Sequence, residues 1–95
     1  ITHIYSITIT MQGIYNPPNT HFRMFHIEDK FIPHIGRIIG KEGRHFIRLT
    51  KQCRVEYIWF QEGKQYIEIW GPEDKLINAE ELITKHMKTT LSQCI

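Results

Sequence analysis

A glycine-rich heptapeptide near the middle of the chain constrains the fold more than any other feature. It reads Ile38-Ile39-Gly40-Lys41-Glu42-Gly43-Arg44, so two glycines bracket two charged residues between an apolar pair and a basic segment. Glycine lacks a Cβ, so the main chain at Gly40 and Gly43 can take positive φ and approach a ligand closely, while Lys41 and Arg44 supply charge. The pattern predicts a phosphate-binding backbone loop. Taken alone, it also fits a tight turn between two helices.

Length and composition limit the class of protein. The chain has 95 residues, of which 41% are hydrophobic and 23% charged, and this is typical of one globular domain. A chain this short buries only about 60 to 68% of its unfolded surface, which leaves little room for an enclosed active-site cavity. It contains neither a run of about 18 apolar residues nor a secretion signal at its start. We therefore expect an intracellular binding module, cytoplasmic or nuclear, with no membrane span.

The cysteines and histidines do not form a recognisable chemical site. Cys53 and Cys94 fit neither a disulfide framework nor a Cys-x-x-Cys pair, so we interpret both as reduced thiols, with Cys53 in the core. The histidines never fall at the short spacing of two metal ligands on one helix face, and we expect them to be scattered over the surface: His3, His21, His26, His34, His45 and His86. Paired carboxylates and nucleophile-base pairs cannot be placed either, so we predict no enzymatic activity, no metal and no cofactor.

Charge is distributed unevenly although the net charge is only +2. Between Lys30 and Arg54 the only acid is Glu42, whereas the stretch from Glu56 to Glu81 is mainly acidic. The basic residues of the first stretch are Lys30, Arg37, Lys41, Arg44, Arg48, Lys51 and Arg54. A basic block centred on the glycine loop indicates a polyanionic partner, while the alternative is an ordinary solvated helix face.

Hydrophobic periodicity predicts an α+β chain. Residues Ile4 to Met11 alternate as a strand does, and Asn16-Pro17-Pro18-Asn19 then breaks the ladder. The next predicted elements are a strand from Phe22 to Ile27, a short helix from Pro33 to Ile39, and an amphipathic helix after Gly43 with Phe46, Leu49 and Cys53 inward. Strands follow over Arg54 to Phe60 and Gln65 to Trp70, Gly71-Pro72 ends the second, and a last helix runs from Asp74 with its apolar side extending to Met87.

From Phe22 to Met87 the chain resembles a type I KH domain. The matching motifs are Ile-Ile-Gly-Lys-x-Gly at Ile38 to Gly43, the apolar pair Phe46 and Leu49, Ile67-x-Ile69-x-Gly71-Pro72, and Leu76-x-x-Ala79-x-x-x-Ile83. The segment Phe31 to Arg37 and the Gly-Pro ending are most similar to vigilin-like KH repeats. The resemblance implies a three-stranded antiparallel sheet packed on three helices (β-α-α-β-β-α), with an extra N-terminal strand. The predicted divisions are an N-terminal strand extension (1–15), a turn or linker (16–21), the KH domain (22–88) and a C-terminal tail (89–95).

The resemblance also implies a function, which is recognition of single-stranded RNA, or single-stranded DNA, with about four nucleotides in a groove between the glycine loop and the sheet edge. Backbone N–H groups of Gly40 to Gly43, at the start of a helix, are expected to meet phosphates. Ile38 and Ile39 are expected at the floor of the groove, with core packing as the alternative for the pair. The predicted nucleic-acid-binding residues are Arg37, Ile38, Ile39, Gly40, Lys41, Glu42, Gly43, Arg44, Ile47, Arg48, Arg54 and Glu56.

Two residues depart from the usual KH pattern. Glu56 occupies a position on the middle strand where family members often carry a basic side chain, and Glu42 leaves the loop dipeptide without net charge. A carboxylate can accept a hydrogen bond from the exocyclic amine of cytosine or adenine, but it repels the phosphate backbone. Base selection is therefore unusual, or Arg54 supplies the positive group instead.

The sheet face turned away from the helices raises a separate question. If Val55, Tyr57, Trp59, Ile67 and Ile69 face the helices, an apolar patch remains on the other face, made of Ile58, Phe60, Tyr66, Trp70, Met24 and His26. We hypothesise that the N-terminal strand covers this patch or extends the sheet, or that two copies pair there; a stacking platform for bases is the competing interpretation. The patch also leaves a second function open, a degenerate KH domain that mediates protein-protein contact through a homodimer or further KH domains.

Overall fold

The computed structural model of the chain describes residues 12–93. The strand predicted over Ile4 to Met11 lies outside the described residues. The elements are β1 (His21–His26), α1 (Ile35–Ile39), α2 (Arg44–Cys53), β2 (Tyr57–Gln61), β3 (Tyr66–Gly71) and α3 (Glu73–Gln93), with 3-10 turns at Asp29–His34, Lys41–Gly43 and Glu62–Lys64. Within the described part of the chain, no helix has both the length and the apolar character needed to cross a membrane.

The three strands form one antiparallel sheet in the order β1-β3-β2, with the helices packed on one face. The side chains of Ile67 and Ile69 on the central strand are fully buried, and they join Ile38, Ile39 and Ile83 from the helices in the core. Branched side chains suit this position because they pack well on a pleated, buried surface. The arrangement confirms the predicted α+β architecture with its β-α-α-β-β-α order.

The predicted orientation of β2 is wrong. Ile58 pairs with Ile69 and Phe60 with Ile67, so both belong to the core rather than to the outer patch. Residues directly opposite in an antiparallel pair share a face, and the fully buried isoleucines of β3 therefore determine which residues of β2 point inward. Tyr57 and its neighbours at alternate positions then lie on the outer face, where Met24, His26, Tyr66 and Trp70 were correctly placed.

Two helices differ in extent from the prediction. The first begins as the 3-10 turn Asp29–His34, so Pro33 lies inside this turn and the α-helical part starts only at Ile35. A 3-10 turn closes with bonds to residue i−3, and Phe31 N donates such a bond to Glu28 O at 3.0 Å. The last helix continues to Gln93, into the residues assigned to the tail, because its final turns still face the core through the buried Thr90 and the partly buried Leu91.

Residues 12–16 cross the outer face of the sheet. Tyr15 packs on Trp59 in a tilted arrangement with their ring centroids 5.1 Å apart, and its hydroxyl donates to Glu68 Oε1 at 2.7 Å. Trp59 is consequently only 6% exposed although it lies on the face away from the helices. The buried Glu68 carboxylate also accepts hydrogen bonds from Gln61 and Trp70, so its desolvation is offset by three donors. Residues 12–16 therefore form part of the folded structure.

Candidate nucleic-acid interface

The glycine loop joins α1 to α2 through backbone conformations that few residues adopt. Gly40 and Gly43 have φ values of 83° and 74°, and Glu42 between them has 57°. A Cβ at Gly40 would lie 2.6 Å from the Cδ2 atom of His45, so the loop can pack on this ring only because residue 40 is glycine. These conformations reverse the chain within four residues and leave the side chains of Lys41 and Glu42 exposed.

Several backbone N–H groups of the loop are already paired. Gly40 N donates to Gly36 O at 2.9 Å, Gly43 N donates to Gly40 O at 3.0 Å, and Arg44 N donates to Lys41 O. A phosphate above the loop would therefore meet the main chain of Lys41 and Glu42 and the positive start of α2. The exposed side chains of Lys41 and Arg44 add charge at the same place.

The other end of α2 shapes the approach to β2. Arg54 takes a left-handed conformation with φ 60°, Val55 N donates to Thr50 O at 3.0 Å, and Arg54 N donates to Lys51 O at 3.4 Å. This pair of bonds is a Schellman motif, which ends a helix and turns the chain sharply. Glu56 N then donates to Trp70 O at 2.8 Å, which starts the pairing of this strand with β3. α2 and β2 form opposite walls of a groove.

The groove lies between the loop, α2 and β2 and encloses about 150 Å³. Small-molecule pockets are commonly about 300–1,000 Å³, so this groove holds only part of a larger ligand. Two carboxylates, Glu42 and Glu56, border it, and the half-exposed side chain of Ile47 lies along its helical wall. The remaining lining residues are Gln12, Gly43, Phe46, Thr50, Tyr57, Ile58 and Trp59.

Comparison with protein families agrees with this geometry. A family model described as KH domain matches residues 30–85, which is more than half of the chain and includes α1, the glycine loop, α2, β2 and β3. The chain is a member of the KH domain family. The order of its elements makes it a type I KH domain, and family membership implies binding of single-stranded nucleic acid. No curated protein and no solved structure matches the chain significantly, so the similarity to vigilin-like repeats stays a prediction.

One side chain of this KH domain occupies the edge that β2 forms among the described strands. The Gln12 carboxamide donates from Nε2 to Phe60 O at 3.0 Å and accepts from Phe60 N at 2.7 Å. It thus pairs both backbone groups of Phe60, which an edge strand would otherwise present outward. Two contacts hold the segment nearby, since Asn16 N donates to the Tyr57 hydroxyl and Tyr15 bonds Glu68. Burial and the bond to Glu68 raise the pKa of the Tyr15 phenol to about 12, so it remains a donor at physiological pH.

A second depression of the KH domain lies on the opposite face of α2 from the groove. It encloses about 300 Å³ and is lined by Arg37, His45, Arg48, His86, Thr89, Thr90 and Gln93, none of which is acidic. The rings of His45 and His86 are 5.1 Å apart, and His86 Nε2 lies 2.8 Å from the carbonyl oxygen of Ile38. Burial is the main cause that lowers the pKa of His45, and electrostatic interaction with His86, Arg48 and Arg44 lowers it further. We call this surface the basic depression.

The structure separates the predicted site residues into five groups. Glu42, Gly43, Ile47 and Glu56 line the groove, whereas Arg37 and Arg48 line the basic depression. Gly40, Lys41 and Arg44 form the loop and the start of α2, and Arg54 ends that helix without lining either cavity. Ile38 and Ile39 are 0% and 1% exposed and pack in the core, so neither forms the floor of the groove. The groove-floor prediction for this pair is not met, and the stated alternative, core packing, describes both residues. Phe46 and Ile58 are the buried apolar residues that line the groove between its walls.

Sequence reasoning also missed residues that the groove contains. Thr50 could have been found, because Gly43, Ile47 and Thr50 are spaced to share one face of a helix. Tyr57 and Trp59 were missed because the orientation of β2 was reversed. Gln12 carries no local signal, since its contact with Phe60 joins residues 48 positions apart. The approach of His45 to His86 is likewise a tertiary contact. Within residues 12–93, no group of three or more His, Cys, Asp or Glu side chains is arranged to hold a metal ion.

Proposed function

We propose that this KH domain binds single-stranded RNA, with about four nucleotides held along the groove between the glycine loop and β2. The observation that carries the proposal is the position of the loop. It places the exposed Lys41 and Arg44 beside a groove whose walls are aliphatic and aromatic, so that phosphates and bases can be contacted at the same time. Unstacked bases need such a surface, which a duplex does not expose.

Charge within the groove supports a preference among bases. Both carboxylates that border it, Glu42 and Glu56, are exposed and can accept hydrogen bonds from an exocyclic amine. Cytosine, adenine and guanine each present an exocyclic amine, whereas uracil does not. We therefore expect selection from a randomised single-stranded pool to deplete uracil.

The loop provides the decisive test. In the double variant Lys41→Asp, Glu42→Asp, the loop dipeptide changes from no net charge to two negative charges at solvent-exposed positions. Aspartate tolerates the left-handed conformation of residue 42, so the melting temperature should change little while affinity for single-stranded RNA falls at least tenfold. Fluorescence anisotropy with a labelled random-sequence RNA and thermal melting by circular dichroism measure the two effects.

A matched control makes the same charge change away from the loop. The exposed residues Glu81 and Lys85 lie on α3, and Glu81→Asp, Lys85→Asp should leave binding within about twofold of the natural chain. For the natural chain, two or three phosphate contacts predict a slope of roughly −1.4 to −2 for log affinity against log salt. Unchanged RNA binding by the loop variant would contradict the proposal.

A second candidate function rests on β1. Phe22 and Met24 lie on the outer face of this edge strand, and they are 53% and 46% exposed. Exposed apolar side chains on an edge strand favour association with another chain, either a second copy or a further KH domain. Sedimentation velocity distinguishes the candidates. A concentration-dependent dimer, together with no affinity for RNA, would replace the first proposal with the second.

A further inference from the structure

The basic depression is a cavity that the groove does not explain. At 100° per residue along α2, His45 and Arg48 lie on the side of the helix opposite Phe46, Ile47 and Thr50. Nucleotides held in the groove therefore contact one side of α2, and the depression opens on the other. The glycine loop separates the two cavities, because Gly40 packs directly on the ring of His45.

The chemistry of the depression suits an anion. Two guanidinium groups, from Arg37 and Arg48, lie at a cavity whose other polar lining groups include two imidazoles and the hydroxyl of Thr89. No acidic side chain of residues 12–93 lines it, in contrast to the groove with its two carboxylates. Arginine presents several N–H donors in a planar arrangement that matches phosphate oxygens. The basic depression has a volume of about 300 Å³, which easily admits one phosphate group.

One residue that lines the depression carries an unpaired polar atom. The Nδ1 atom of His45 is buried and has no hydrogen-bond partner among the described residues, although buried polar atoms are nearly always paired. His86 is oriented differently, since its Nε2 lies 2.8 Å from Ile38 O at the end of α1 and so ties the depression to the base of the loop.

We propose that the basic depression is a second phosphate site, which binds a backbone phosphate of the same single strand beyond the nucleotides held in the groove. This inference rests on the proposed function. The strand would pass over the loop, where Lys41 and Arg44 are exposed, and continue onto Arg37 and Arg48 on the far side of α2. The KH domain would then contact more nucleotides than its groove alone holds.

The test measures how the loss of the two arginines changes affinity for a short and for a long RNA strand. The double variant Arg37→Gln, Arg48→Gln removes both charges but keeps long polar side chains, and Lys85→Gln, Lys88→Gln on α3 is the control with the same charge change. Affinity for a random-sequence RNA tetranucleotide and for a dodecanucleotide is measured by NMR titration at several salt concentrations. Both variants contain all 95 residues of the sequence, and thermal melting checks that each is folded.

We expect the arginine variant to bind the dodecanucleotide about tenfold more weakly than the natural chain does, and the tetranucleotide equally well. Its log-log salt slope on the longer strand should become less negative by about 0.7 for each lost contact. The inference is overturned if both lengths are weakened alike, because the arginines then act on nucleotides in the groove, or if neither is weakened beyond the control. If the natural chain binds neither length, the proposed function itself fails, and the inference fails with it.

Discussion

At the scale of single residues, His45 links the glycine loop to the last helix. Its ring packs against Gly40 on one side, and its centroid lies 5.1 Å from that of the His86 ring on the other. Burial, and then electrostatic interaction with His86 on α3 and with Arg48 and Arg44 on α2, lower the pKa of His45 below its usual 6.5. The folded structure therefore favours the neutral imidazole.

This predicts a dependence of stability on pH. Because the pKa of His45 is lower in the folded chain than in the unfolded chain, the unfolded state binds more protons near and below pH 6.5. The stabilising contribution is complete above that pH and is lost as the pH falls toward the folded pKa. Melting temperatures at pH 7.5, 6.5 and 5.5 should fall in that order for the natural chain and fall less steeply for His45→Gln. His26→Gln, at an exposed position on β1, should keep the steeper fall, and equal slopes in all three chains would contradict the prediction.

At the scale of elements, β2 shows how one strand obtains its orientation from another. Its sequence Tyr57-Ile58-Trp59-Phe60 is apolar at every position, so neither face is marked as the inner one. Pairing with β3 places Ile58 and Phe60 against the helices, and the outward Trp59 is buried instead by Tyr15. All three side chains are consequently shielded from water, although two different parts of the chain shield them.

Two phenylalanine substitutions test the orientation of the strands. Phe60 is 4% exposed in the core, and Phe60→Ala should lower the free energy of unfolding by about 3–5 kcal/mol. Phe22 is 53% exposed on the outer face, and Phe22→Ala should cost about 1 kcal/mol or less. Urea denaturation monitored by circular dichroism measures both values. Similar losses for the two variants would show that Phe60 does not face the helices.

At the scale of the whole molecule, the segment before β1 links the outer face of the sheet to the groove. Tyr15 anchors it on Glu68, and Gln12 reaches the edge of β2 at Phe60. Both hydrogen-bonding groups of Phe60 are thereby paired within the chain. A base that binds to this edge has to displace the Gln12 carboxamide.

We therefore expect Gln12→Ala to strengthen binding of single-stranded RNA. Two neutral hydrogen bonds contribute about 0.5–1.5 kcal/mol each, or about 1–3 kcal/mol together, so their removal should raise affinity by about fivefold to 150-fold. Asn78→Ala removes a carboxamide at an exposed position on α3 and should leave affinity unchanged. Hydrogen exchange at the Phe60 amide, measured without RNA, should be faster in the Gln12 variant alone. A fall in affinity would mean that Gln12 contributes to RNA binding instead of competing with it.

Much of the fold and part of the site could be predicted from local patterns. The two glycines of the loop, the apolar spacing of Phe46, Leu49 and Cys53, and the Gly71-Pro72 strand end each act within a few residues. They predicted the element order and the turn between α1 and α2, while the resemblance to KH domains implied Glu42, Gly43, Ile47 and Glu56, which line the groove. Arg37 and Arg48 were both predicted to bind nucleic acid. The sequence did not predict that they lie at a separate depression, on the side of α2 opposite the groove.

The sequence by itself therefore determined the glycine loop and the succession of strands and helices, because φ preferences and hydrophobic periodicity are properties of neighbouring residues. Only the tertiary structure decided the orientation of β2, the contact of Gln12 with Phe60 and the approach of His45 to His86. These depend on pairs separated by many positions, such as the 48 between Gln12 and Phe60. No local preference selects such partners, since they are brought together by the burial of the core that both elements share.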